Sequence, residues 1–80
     1  MDSRIEAAVY VLCAQAVQKF GIKIEWVALV GKVGMIHAMM KDGFDREAIE
    51  TRHGLEGGLI MESLEGAIEA GLLPALPKDA

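Results

Sequence analysis

Residues 26–40 read WVALVGKVGMIHAMM, and only Lys32 and His37 interrupt fifteen positions that are otherwise apolar or glycine. Coiled as a helix, this run is hydrophobic almost all the way round, and such a helix is normally buried on every side. A chain of 80 residues has little mass with which to bury it, because small domains remove only about 60–65% of their surface from water. Another copy of the chain, or a different protein, would supply the missing cover. The stretch therefore points to an all-α interaction module. Trp26, Val30, Val33, Met35, Met39 and Met40 are its candidate partner-binding residues. Methionine adapts to irregular partners, although it also fills cores.

The segments on either side carry ordinary helix punctuation. Ser3 followed by Glu6 forms a capping box for a first helix over about Arg4 to Phe20. Ile5, Val9, Leu12, Ala16 and Phe20 form its apolar stripe, widened by Ala8, Cys13 and Val17, with Gly21 as terminator. Ile22 and Ile24 alternate with Lys23 and Glu25, which suits a short strand as well as a helix. A lone strand has no partner, so a second helix from Lys23 or Glu25 to about Lys41 is expected. Gly31 and Gly34 lie on one face of it; they either admit a close neighbour or break the helix between Val30 and Met35.

After the Asp42-Gly43 turn, Asp45 is the N-cap of a short helix, with Phe44 and Ile49 placed as a hydrophobic staple. Gly54 closes it, and Leu55 is positioned to fold back as its hydrophobic cap. Gly57-Gly58 reads as a flexible joint before a last helix over about Leu59 to Ala70. Its inner stripe is Ile60, Leu64, Ala67 and Ile68, with Met61 at the flank and Glu62, Glu65 and Glu69 opposite. Gly71 ends it, Leu72 can pack back, and Pro74 and Pro77 forbid continuation. The expected architecture is a compact bundle of four helices, two long and two short, in one domain over residues 1–73, packed or intertwined as a homodimer. Residues 74–80 form an extended tail.

Bulk chemistry narrows the function. Hydrophobic residues make up 52% and charged residues 25%, which excludes disorder over most of the length. A core this small supplies only ~3–5 kcal/mol and is commonly reinforced by disulfides, metal or oligomerisation. Cys13 is the only cysteine, and no histidine or cysteine pair has metal-ligand spacing, so oligomerisation remains. A single thiol and the lack of a basic-then-apolar leader suggest a reducing, cytoplasmic setting. The apolar run is too short for a membrane span and carries Lys32 near its middle.

No phosphate-binding loop and no activated nucleophile stands out, so no enzymatic activity and no cofactor are expected. Net charge is −4, placed unevenly: residues 1–41 carry five basic and three acidic groups, residues 42–80 three basic and nine acidic. The second half attracts a basic surface, and Glu62, Glu65 and Glu69 join the candidate partner-binding residues.

Residues Arg46-Glu47-Ala48-Ile49, then Gly54-Leu55, then Leu64-x-x-x-Ile68-x-x-Gly71-Leu72-Leu73 resemble the helix-turn-helix part of winged-helix proteins. That resemblance covers about a third of the chain and implies a second helix that reads DNA. Here that helix carries glutamates where a DNA reader needs Arg, Lys, Asn or Gln, and no strand pair follows to make a wing. The sequence points to a non-enzymatic homodimeric regulator or inhibitor that binds a basic protein, such as a DNA-binding protein, in the manner of an antirepressor. The alternatives are a dimeric DNA-binding regulator using Lys19, Lys23, Lys32 and Lys41, or a small adaptor or chaperone.

Overall fold

Each helix forms where apolar spacing and a terminating signal agree. A computed structural model describes residues 2–77 and contains four helices and no strand among them. Helix α1 spans Ser3–Gln18, α2 Trp26–Lys41, α3 Arg46–His53 and α4 Leu55–Glu69. The all-α architecture is as expected, but three helices are long (16, 16 and 15 residues) and one is short (8 residues). Helix α4 packs against the other three, and α1 also packs against α2.

The molecule measures 37 × 28 × 18 Å. A helix with its side chains is about 10–12 Å across, so the thin dimension holds two helical layers. No helix can be enclosed on all sides in such an object. Accordingly α2 buries Leu29, Val33, Ile36, His37 and Met40 but leaves Val27 and Met35 exposed. It runs unbroken through Gly31 and Gly34. The Tyr10 ring lies 3.5 Å from where a Cβ on Gly34 would sit, whereas nothing lies within 4 Å at Gly31.

Several local expectations are corrected. The N-cap of α1 is Asp2, whose carboxylate accepts the Arg4 N–H at 2.8 Å; Ser3 is already helical. The buried face of α1 is Val9, Cys13, Ala14 and Val17, so Ile5, Leu12, Ala16 and Phe20 face solvent. An apolar residue on nearly every side left the periodicity indifferent between faces. Fully buried Ala14 is the side on which a neighbour can come closest. Residues 22–25 form neither helix nor strand, yet Ile22 and Ile24 pack partly against the core.

The expected joint at Gly57-Gly58 lies inside α4, and both glycines are buried. The chain reverses instead at Gly54, whose φ of 76° and ψ of −171° suit only a residue without a side chain. That one residue ends α3 and starts α4, so Leu55 begins the new helix, 80% exposed, rather than capping the old one. A Cβ on Gly57 would lie 2.8 Å from the His53 Cβ, so the glycine is what brings α4 onto α3. Asp45 caps α3 as expected, accepting from the Ala48 N–H at 2.9 Å. Ile49 is fully buried while Phe44 stays 47% exposed.

Helix α4 buries Ile60, Leu64 and Ala67 and half-buries Ile68 and Met61. Beyond Gly71 the buried leucine is Leu73, not Leu72. Residues 74–77 are non-helical, and Leu76 packs partly onto the core, so this part of the tail is laid over the bundle. The rest of the expected tail, residues 78–80, lies outside the described residues.

Candidate functional site

Three features carry chemistry, and the first is an acidic hollow on α4. The spacing of Glu62, Glu65 and Glu69 puts them on the side opposite Ile60 and Leu64, and all three are exposed. Together with Gly66, Ile68 and Leu76 they line an open hollow of about 540 Å³. Gly66 keeps its floor open, because nothing lies within 4 Å of where its Cβ would be. Leu76 adds an apolar wall that sequence spacing could not assign to this helix.

The three carboxylates differ in availability. Arg46 on α3 donates through Nη1 to Glu62 Oε1 at 2.6 Å and through Nε to Glu50 Oε1 at 2.7 Å. These two carboxylates in turn raise the guanidinium's pKa. Glu62 is thus partly neutralised from within, while Glu65 and Glu69 form no ion pair with any described residue. Carboxylates around an apolar floor match a lysine or arginine side chain, whose stem is apolar and whose head is charged.

The second feature is the outer face of α2. Val27, Ala28, Gly31, Met35 and Ala38 are exposed and share one side of the helix, where no charged residue interrupts them. Of the residues expected to bind a partner, only Met35 stands fully on this face, at 55% exposure. Trp26, Val30 and Met39 are half-buried against the core. Val33 and Met40, at 0% and 4% exposure, are core residues and present no surface. Helical spacing puts them on the side turned to α1 and α4. Val27, at 74% exposure, is the residue that the sequence reading missed here.

The third feature is a polar cluster in an otherwise apolar interior. His37 is buried, and its Nδ1 lies 2.6 Å from the Tyr10 hydroxyl. The Glu6 carboxylate is 3.5 Å from that hydroxyl and 4.0 Å from Nδ1. Burial, and secondarily the Lys41 ammonium, push the ring below its ordinary value, against a smaller opposing pull from Glu6. A neutral ring with the Tyr10 O–H donating to Nδ1 carries its own proton on Nε2. Glu6, His37 and Lys41 line a partly enclosed cavity of about 340 Å³ with Pro74, Ala75 and Pro77. The signal was present in the sequence as two helical pairs, Glu6 with Tyr10 and His37 with Lys41, each four residues apart.

Cys13 is buried, with its Sγ 3.8 Å from the Ser63 carbonyl, and burial raises its thiol pKa, the reverse of an activated nucleophile. Among the described residues no three His, Cys, Asp or Glu side chains are grouped to hold a metal ion, and no helix is long and apolar enough to cross a membrane. No protein-family profile matches this chain, and no characterised protein or solved structure matches it.

Proposed function

We propose that this chain is a non-enzymatic interaction module, a small regulator or inhibitor that binds a basic partner protein through the acidic hollow of α4. The observation that carries the reading is the hollow itself: Glu65 and Glu69, which form no ion pair among the described residues, beside the apolar Ile68 and Leu76. An antirepressor-like role follows if the basic partner is a DNA-binding protein, whose phosphate-binding side chains would be occupied by these carboxylates. Self-association through the outer face of α2 is part of the same proposal. It would leave α4 accessible on each copy, because the exposed glutamates lie on a different helix.

Direct DNA binding is the weaker reading. Lys32 already bonds Glu56 at 3.3 Å, and Arg46 is held between two glutamates. A helix bearing Glu62, Glu65 and Glu69 would meet phosphate repulsion in a groove. The deciding experiment is a titration of the labelled chain with an arginine- and lysine-rich helical peptide, run beside a duplex-DNA gel shift. The expected result is saturable peptide binding that weakens with salt and is lost in Glu65→Lys/Glu69→Lys, with no duplex shift. Peptide binding unchanged in that double variant, or tight salt-dependent binding of duplex, would overturn the proposal.

A further inference from the structure

The cavity at His37 sits at one end of the α1–α2 pair, on the other side of the tail segment whose Leu76 walls the acidic hollow, and its walls are not those of a packing defect. A void left by imperfect packing is lined by apolar side chains and stays dry. This one has a carboxylate from α1 (Glu6), an ammonium from α2 (Lys41) and a buried imidazole (His37). The two charged groups form no ion pair with each other: among the described residues the one basic side chain within 4.0 Å of the Glu6 carboxylate is His37, and Lys41 is in no ion pair. Opposite charges that share a small cavity without meeting leave room for something between them.

From this arrangement we infer that the cavity binds a small zwitterionic α-amino acid. Its carboxylate would take the Lys41 ammonium and the His37 Nε2–H, and its ammonium the Glu6 carboxylate. The alternatives of single charge fail on the same walls, since a simple anion would face Glu6 and a simple cation would face Lys41. Size agrees as well: about 340 Å³ stands at the low end of the roughly 300–1,000 Å³ typical of ligand pockets. That is ample for a free amino acid, and Glu6 beside the site disfavours phosphate-bearing ligands. The remaining wall, Pro74, Ala75 and Pro77, is suited to a short apolar or hydroxylated side chain.

Tyr10 is a positioning residue here. Its 2.6 Å bond to Nδ1 fixes the ring's orientation and leaves Nε2 as the nitrogen available to a ligand. The segment 74–77 walls the cavity and is anchored by buried Leu73 just before it and by half-buried Leu76 within it. Release of Leu76 would open the cavity while leaving the helices in place. The site would therefore respond to the tail's position, and occupancy would hold the tail down.

The test is an amide-resonance titration of the full-length ¹⁵N-labelled chain with L-alanine, L-serine and L-valine, using acetate and methylammonium as single-charge controls. The expected result is saturable shifts at Glu6, His37, Lys41 and residues 74–77 for at least one amino acid, with both controls at least about tenfold weaker. Lys41→Gln and Glu6→Gln should each weaken binding by about tenfold or more. Lys41 is exposed, so its variant keeps the wild-type amide dispersion, and loss of binding there reports the site and not the fold. Three results would overturn the inference: no saturation below about 10 mM, either control binding as well as the amino acids, or Lys41→Gln binding unchanged. None of them decides the acidic hollow, whose own test reads Glu65 and Glu69 of α4, neither of which lines this cavity.

Discussion

His37 shows how one residue couples the core to solution pH. Burial and Lys41 hold its ring below the ordinary 6.5, and burial with Lys32 and Arg52 does the same at His53. The unfolded chain therefore binds protons that the folded chain refuses, so stability rises with pH through this window. Full stability is expected above about pH 6.5, with loss as the pH falls through the lower folded-state values. Urea midpoints should drop between about pH 7.5 and pH 5, and the drop should persist in His53→Gln, because His37 is the more buried ring. The facing groups are Glu6 and Tyr10 from α1 and Lys41 from α2; the described tail adds no charge. Asp2, lowered by its bonds to Arg4, titrates only below its ordinary 3.8 and does not mask the effect. A midpoint independent of pH across that range would mean that folding leaves the ring's proton affinity unchanged, and a midpoint that rises toward acid would mean that the ring is protonated in the fold. Tyr10→Phe removes the hydroxyl from Nδ1 and leaves a buried nitrogen unpaired, which should cost about 1–3 kcal/mol in the same melts.

At the scale of the helix, glycine substitutions separate close packing from mere flexibility. Ala is favoured over Gly in a helix interior by about 1 kcal/mol. At Gly66, with open space around its Cβ position, that preference acts alone, so Gly66→Ala should stabilise by ~0.5–1 kcal/mol. At Gly57 the new methyl would meet the His53 Cβ at 2.8 Å and Ile49 at 3.2 Å, and Gly57→Ala should destabilise by about 1–3 kcal/mol. Denaturant melts of the two variants should therefore move in opposite directions. Movement in the same direction would mean that α4 does not sit on α3 as described. Asp45→Ala, which removes the bond to the Ala48 N–H, should cost ~1 kcal/mol.

The same contrast explains what the sequence could tell. Asp45, Gly54 and Gly71 act through neighbours a few residues away, and both ends of α3 and the C-terminal end of α4 were legible from them, but not the start of α4. The inner stripe of α4 was legible because Glu62, Glu65 and Glu69 mark its opposite side. Helix α1 has no such acidic side; Ile5 and Leu12 are as apolar as Val9 and Val17, and only contact with α2 and α4 decides which pair is buried. Gly57 looked like a joint because its role depends on His53 and Ile49 across a helix interface. The pocket at His37 needed the tail, whose path over the bundle no local signal encodes.

For the molecule as a whole, the remaining question is what covers the outer face of α2. The face is apolar, and at Gly31 and Ala38 it is nearly without side chains, so another helix could approach to the short end of the 8–10 Å packing distance. A two-fold pair of α2 helices would be self-complementary, since the same stripe meets itself across the axis. A stable interface covers about 800 Å² per partner, roughly a sixth of the 5178 Å² surface. That is more than one helix face supplies, so Phe20, 72% exposed beside the segment that leads into α2, is expected to join it. Light scattering at about 100 µM should report twice the 8.6 kDa chain mass. Met35→Glu and Val27→Glu should each return a monomer, because a charge would be buried there without a partner. Both side chains are exposed in the single chain, so the circular dichroism spectrum should be unchanged. A wild-type monomer at that concentration would leave α2 open to a different protein. Dimers that survive both substitutions would move the interface to another apolar surface, with Ile5 and Leu12 of α1 the next to test.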